Sequence, residues 1–117
     1  MSCTILYKGR LKESTSNDMI SSIIKKHADK IDCIFHQSDR VYMITFNNGS
    51  SEPLVLDFSK DIIDGFCKWN DTDPKEIYQI FDLFIDMKPF FKSLKIADDD
   101  GLWEQVIVLE QLNLTSL

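Results

Sequence analysis

The chain has 117 residues, 44% of them hydrophobic and 11% aromatic, with 19 acidic against 13 basic side chains and a formal net charge of −6. This length fits a single domain over residues 1–117, and the apolar content excludes the disordered class, whose chains bury too little surface to offset the entropy of ordering. The acidic balance argues against nucleic acid and against an anionic membrane surface as direct partners, because both need a basic footprint; the partner it fits is a basic protein.

Met1-Ser2-Cys3-Thr4 opens no basic cluster followed by an apolar run, so no signal peptide is expected. The apolar runs are too short for a membrane-spanning helix. Cys3, Cys33 and Cys67 are widely spaced and form no CxxC pair, which reads as reduced thiols and a cytoplasmic protein.

In chain order, Cys3 to Leu11 reads as a strand. Ile5, Tyr7 and Leu11 fall on one face, while Thr4, Lys8 and Arg10 fall on the other. Ser14 to Asp18 supplies short oxygen-bearing side chains that accept the free N–H groups of a helix start. Ile20, Ile23, Ile24, His27, Ala28 and Ile31 then recur at helical spacing, with Lys25, Lys26, Asp29 and Lys30 opposite. Cys33 to Gln37 is a short strand, Ser38-Asp39 a turn, and Arg40 to Phe46 an alternating strand. The Asn- and Gly-rich stretch at residues 47–51 predicts a hairpin to Leu54, Leu56 and Phe58. Pro53, with no N–H to donate, belongs at the start or edge of that strand.

Ile62 to Trp69 predicts one more strand, broken or bulged at Gly65. Asn70 to Pro74 marks a second helix start, with proline where its missing N–H costs nothing. That helix should run to about Lys88, stopped or kinked by Pro89, and is apolar on more than one side. Such a helix is deeply buried, faces a partner, or builds a homodimer. Leu94 to Ala97 reads as a short strand, Asp98 to Gly101 as an acidic turn, and the tail from Leu102 as either strand or helix. The sum is an α+β fold: a mostly antiparallel sheet of about five to six strands with two main helices on one face.

The acidic turn echoes the start of a calcium loop, but Leu102 and Leu109 stand where further ligands are required. No metal is expected, and the bland reading is a solvated turn. The sharper reading is a partner-binding patch of Asp98, Asp99, Asp100 and Glu104 with Trp103 as its aromatic anchor. His27 and His36 have no Ser or Cys at a recognisable catalytic spacing, and packed imidazoles are the simpler reading of both. Cys33 and Cys67 read as small core residues. No glycine-rich phosphate loop appears, so neither an enzyme nor a cofactor is expected. Glu52 and Trp69, with Trp103, are candidates for a small-molecule pocket; otherwise the aromatics are core and the glutamate is wet.

Three segments, ILYKGRLK, EPLVLDF and IADDDGLWE, give the chain a resemblance. It resembles a loosely defined group of small, uncharacterised bacterial proteins, some of immunity-protein type. The residues that carry the likeness are Tyr7, Lys8, Gly9, Glu52, Pro53, Asp99, Asp100, Gly101, Trp103 and Glu104. The resemblance implies an immunity-type inhibitor that neutralises a cognate toxin by direct contact. The alternative is a small-molecule-binding or regulatory domain with a pocket near Glu52, Trp69 and Trp103.

Overall fold

The computed structural model describes residues 3–47, 52–69 and 75–115. The first strand, β1 (Cys3–Leu11), is followed by α1 (Asn17–Ala28), whose Ser16 cap accepts the Met19 N–H at 3.2 Å. Next come β2 (Cys33–Ser38), β3 (Val41–Phe46) and β4 (Leu54–Asp57), a meander in which β3 pairs antiparallel with both neighbours. Asp39 makes the tight link between β2 and β3 at a φ of 53°, a conformation Asp tolerates better than most residues. The predicted turn at residues 48–51 and helix start at 70–74 lie outside the described residues.

β5 (Ile62–Trp69) and β6 (Phe91–Asp98) flank β1 on either side, again antiparallel. Between them runs α2 (Lys75–Met87), closed by a single 3-10 turn at Lys88–Phe90 that contains Pro89. Proline has no N–H to continue an α-helix, which is why the predicted stop holds. The tail resolves as helix, α3 (Leu102–Thr115).

The α+β class and the antiparallel pairing stand, but the strands form two three-stranded sheets, β5-β1-β6 and β2-β3-β4, in place of one sheet, and there are three helices in place of two. The division falls between β4 and β5, and a side chain explains it. The Tyr7 hydroxyl donates to the Val55 carbonyl at 2.6 Å, taking the acceptor that a ladder bond from β5 would use. Tyr7 reaches that far because its partner in β5 is Gly65, where a Cβ would come within 3.0 Å of the tyrosine oxygen. Beside this bond, the Glu52 N–H donates to the Lys68 carbonyl at 2.9 Å and ties the two sheets at one end. Gly65 therefore neither breaks nor bulges β5; the register shift lies between Arg10 and Leu11, against β6.

One apolar core joins the inner faces of both sheets to all three helices. Ile5, Tyr7, Ile63 and Cys67 meet Tyr42, Ile44, Leu54, Leu56 and Phe58 from the second sheet. Ile20 and Ile24 of α1, Ile77 to Met87 of α2 and Trp103 of α3 close over them. The molecule is accordingly a slab of 37 × 37 × 23 Å, sheets on one side and helices on the other. Among the described residues no helix is long and apolar enough to cross a membrane.

Candidate interaction surface

The acidic turn is built to start a helix. Asp98 accepts the Leu102 and Trp103 N–H groups, both at 2.9 Å, and the Asp100 N–H at 3.2 Å, so its carboxylate caps α3. Gly101 makes the bend at a φ of 71°, where a side chain would be strained. Asp99 accepts the Thr4 N–H at 3.0 Å and so extends the β1–β6 pairing past its last residue pair. Trp103 is turned inward and packs edge-on against Phe81 with ring centroids 5.3 Å apart. This corrects the expected aromatic anchor: the tryptophan is core, because the capped first turn of α3 aims it at α2. Of the five residues expected to contact a partner, Asp100 and Glu104 keep exposed side chains without such duties, beside exposed Val108 and Leu109 in a shallow groove on α3.

A pocket was expected near Glu52, Trp69 and Trp103. Glu52 is exposed and Trp103 buried, and the side chain of Trp69 lies outside the described residues. A groove of about 560 Å³ lies instead at the seam between the sheets. Tyr7 and Gly65 form its floor; Val55 and Asp57 on one side and Ile62, Asp64 and Phe66 on the other form its walls.

His27 and the described thiols have structural roles. His27 is buried between α1 and α2, its Nε2 2.6 Å from Asp86 Oδ2. His36 is exposed on β2, opposite Met43. The Cys67 thiol donates to the Glu52 carbonyl at 3.3 Å, and burial above all, with Glu52 and Glu76 adding to it, pushes its pKa up to about 12. Burial also raises Cys33. A thiol held protonated is a poor nucleophile. Among the described residues no three His, Cys, Asp or Glu side chains are placed to hold a metal ion.

The surface that stands out is the outer side of the first sheet, the side away from the helices. Strand register places three rows across it: Phe66–Leu6–Ala97, then Asp64–Lys8–Lys95, then Ile62–Arg10–Ser93. Lys68 and Thr4 form a fourth row beyond Phe66. Phe66 is 61% exposed and Leu6 53%, side by side. Across the seam, Val55 and Ile34 continue the exposed apolar surface onto the second sheet. Among the described residues, five of the nine exposed large apolar side chains lie on this one side of the slab. Sequence reading passed over Leu6 and Phe66, although both carried a signal. In strands whose inward positions are Ile5, Tyr7 and Cys67, each is an apolar residue on the solvent parity.

Comparison of the chain with protein-family models, with curated proteins and with solved structures gives no match.

Proposed function

We propose that this chain is a non-enzymatic protein-binding module, an immunity-type inhibitor in kind, that meets its partner through the open face of the first sheet. The observation that carries this reading is the exposed Phe66–Leu6 pair, on the edge strand β5 and the central strand β1 of a sheet whose other face is buried. Apolar clusters rimmed by polar side chains mark interaction sites, and a large aromatic at the centre of such a cluster carries a disproportionate share of the binding energy. The immunity-type part rests on the resemblance, three of whose residues, Tyr7, Lys8 and Gly9, sit in the central strand of this sheet. The structural duties of His27 and the protonated state of Cys67 favour a binding role over catalysis. Reduced thiols favour the cytoplasm as its place of work.

Capture from native cells tests the reading, using the tagged chain beside its Phe66→Thr variant, which keeps a strand-favouring residue. One protein recovered in equal amount by the parent chain and lost with Phe66→Thr is the expected result. Retention by that variant together with loss by Asp100→Asn/Glu104→Gln would move the interface to the acidic turn. Equal recovery by all three chains would overturn both placements.

A second reading, a small-molecule binder, is favoured by the seam groove, where apolar walls meet two carboxylates. A ligand screen by thermal shift checks it, with Asp64→Asn as the variant that removes one of the groove's carboxylates.

A further inference from the structure

We infer that the partner presents an acidic surface to this face, the opposite sign to the one the net charge of the chain predicts. The inference rests on the protein-binding reading of the same face. Lys8, Arg10, Lys68 and Lys95 are exposed at outward positions of the first sheet; the carboxylates in their rows are Asp64, which faces Lys8, and Asp99, which accepts the Thr4 N–H at the end of the Lys68–Thr4 row. The ion pairs among the described residues are His27–Asp86 and Arg40–Asp61. None of the four cations on the face has an ionic partner there, in a chain that carries six more acids than bases.

Lys8 stands directly opposite Lys95 in the ladder. Like charges at facing positions of an antiparallel pair are destabilising, and Asp64, which faces Lys8 on the other side, makes no ion pair with it. Positions that break a local rule without a folding benefit are where function is expected. The arrangement is complete only when carboxylates arrive from outside: Lys68 lies on one side of the Phe66–Leu6 row, and Lys8, Lys95 and Arg10 lie on the other. A protein surface that sets an apolar knob among Asp or Glu side chains satisfies both parts. The acids spread over the rest of the molecule would repel such a partner from every other approach, so the basic face also orients the encounter. Nucleic acid fits less well: among the described residues the face offers one aromatic ring, not a series of stacking platforms, and the overall charge opposes a polyanion.

The test uses the full chain and two synthetic peptides of equal length, one of glutamate and leucine and one of lysine and leucine, with binding read from backbone amide NMR shifts. The glutamate peptide is expected to shift the amides of Leu6, Lys8, Phe66 and Lys95. Its affinity should fall about tenfold in Lys68→Glu/Lys95→Glu, the loss of roughly one close charge pair. Lys26→Glu/Lys30→Glu, an equal change of net charge on and just after α1, away from the face, should leave it within about twofold. Lys95→Glu places an opposite charge facing Lys8, so the first variant keeps its fold. Shifts at these amides from the lysine peptide, from neither peptide, or from oligothymidylate in preference to both would overturn the inference, as would equal losses in the two double variants. In the capture experiment the two readings separate: a partner lost with Phe66→Thr but kept by Lys68→Glu/Lys95→Glu leaves the binding face standing and removes the acidic partner.

Discussion

Tyr7 is the residue on which the shape of the sheet layer turns. Its ring packs against Phe84 with centroids 5.5 Å apart, while its hydroxyl crosses to Val55 in the other sheet. Tyr7→Phe keeps the ring and leaves the Val55 carbonyl without this donor, so it should cost about 1–2 kcal/mol, read as a lower denaturant midpoint at unchanged slope. The same environment sets an alkaline limit on stability. Burial raises the Tyr7 pKa from 10.0 to about 12 and that of Cys67 from 9.0 to about 12. In the unfolded chain both groups release protons earlier, so above pH ~9 the unfolded state binds fewer protons than the native state and stability falls as pH rises. The decline should run from about pH 9 towards 12, and Tyr7→Phe should flatten its part above pH ~10; urea titrations across that range measure it.

Among the helices, α3 shows how a charge cluster can be structural. Asp98→Ala removes the acceptor of three backbone N–H groups and should cost about 1–2 kcal/mol, whereas Asp100→Asn should stay within about 0.5 kcal/mol, both measured by chemical denaturation. From sequence alone, these aspartates look alike; what separates them is the direction of the chain after Gly101, which the ambiguous tail did not reveal. Elements whose periodicity was clean were legible. The β3–β4 hairpin was marked by Tyr42, Ile44, Leu54 and Leu56, all buried, and α1 by Ile20 and Ile24. Lys88 and Pro89 marked the end of α2 because proline's effect is local. β6 was read short, as Leu94 to Ala97, because its edge position leaves Lys92, Ser93 and Lys95 exposed and blurs the alternation. The break between the sheets was not legible, since it depends on a contact between Tyr7 and Val55 that strand patterning does not encode. The face proposed for binding was half legible: Lys8 and Arg10 were placed outward, but Lys68 and Lys95 join them only through the register of three strands.

Taken as a slab, the protein divides its tasks between layers. The helical side and the inner sheet faces hold the core, and the outer sheet side is free to vary without loss of fold. Phe66→Thr should therefore change stability by no more than about 0.5 kcal/mol while removing the apolar centre of the face, a contrast that thermal denaturation beside a binding assay exposes. If the inferred acidic partner holds, net charge is a poor guide to it, because net charge averages over surfaces that point in different directions. Six excess acids on the chain coexist with rows of the first sheet in which four cations stand beside Asp64 and Asp99.

The order in which these elements leave the ribosome gives the topology a further meaning. β2, β3 and β4 are neighbours in sequence and can pair as soon as they are made. β1 emerges before them, yet it lies at the centre of the other sheet, with Ile5 set against Cys67 on one side and Asp98 on the other. It must wait for almost the whole chain before both edges are satisfied, and non-local pairing of this kind is slow. During that interval Leu6, Tyr7 and their neighbours form an unpaired strand with apolar residues on both sides, the segment most exposed to misassociation during synthesis.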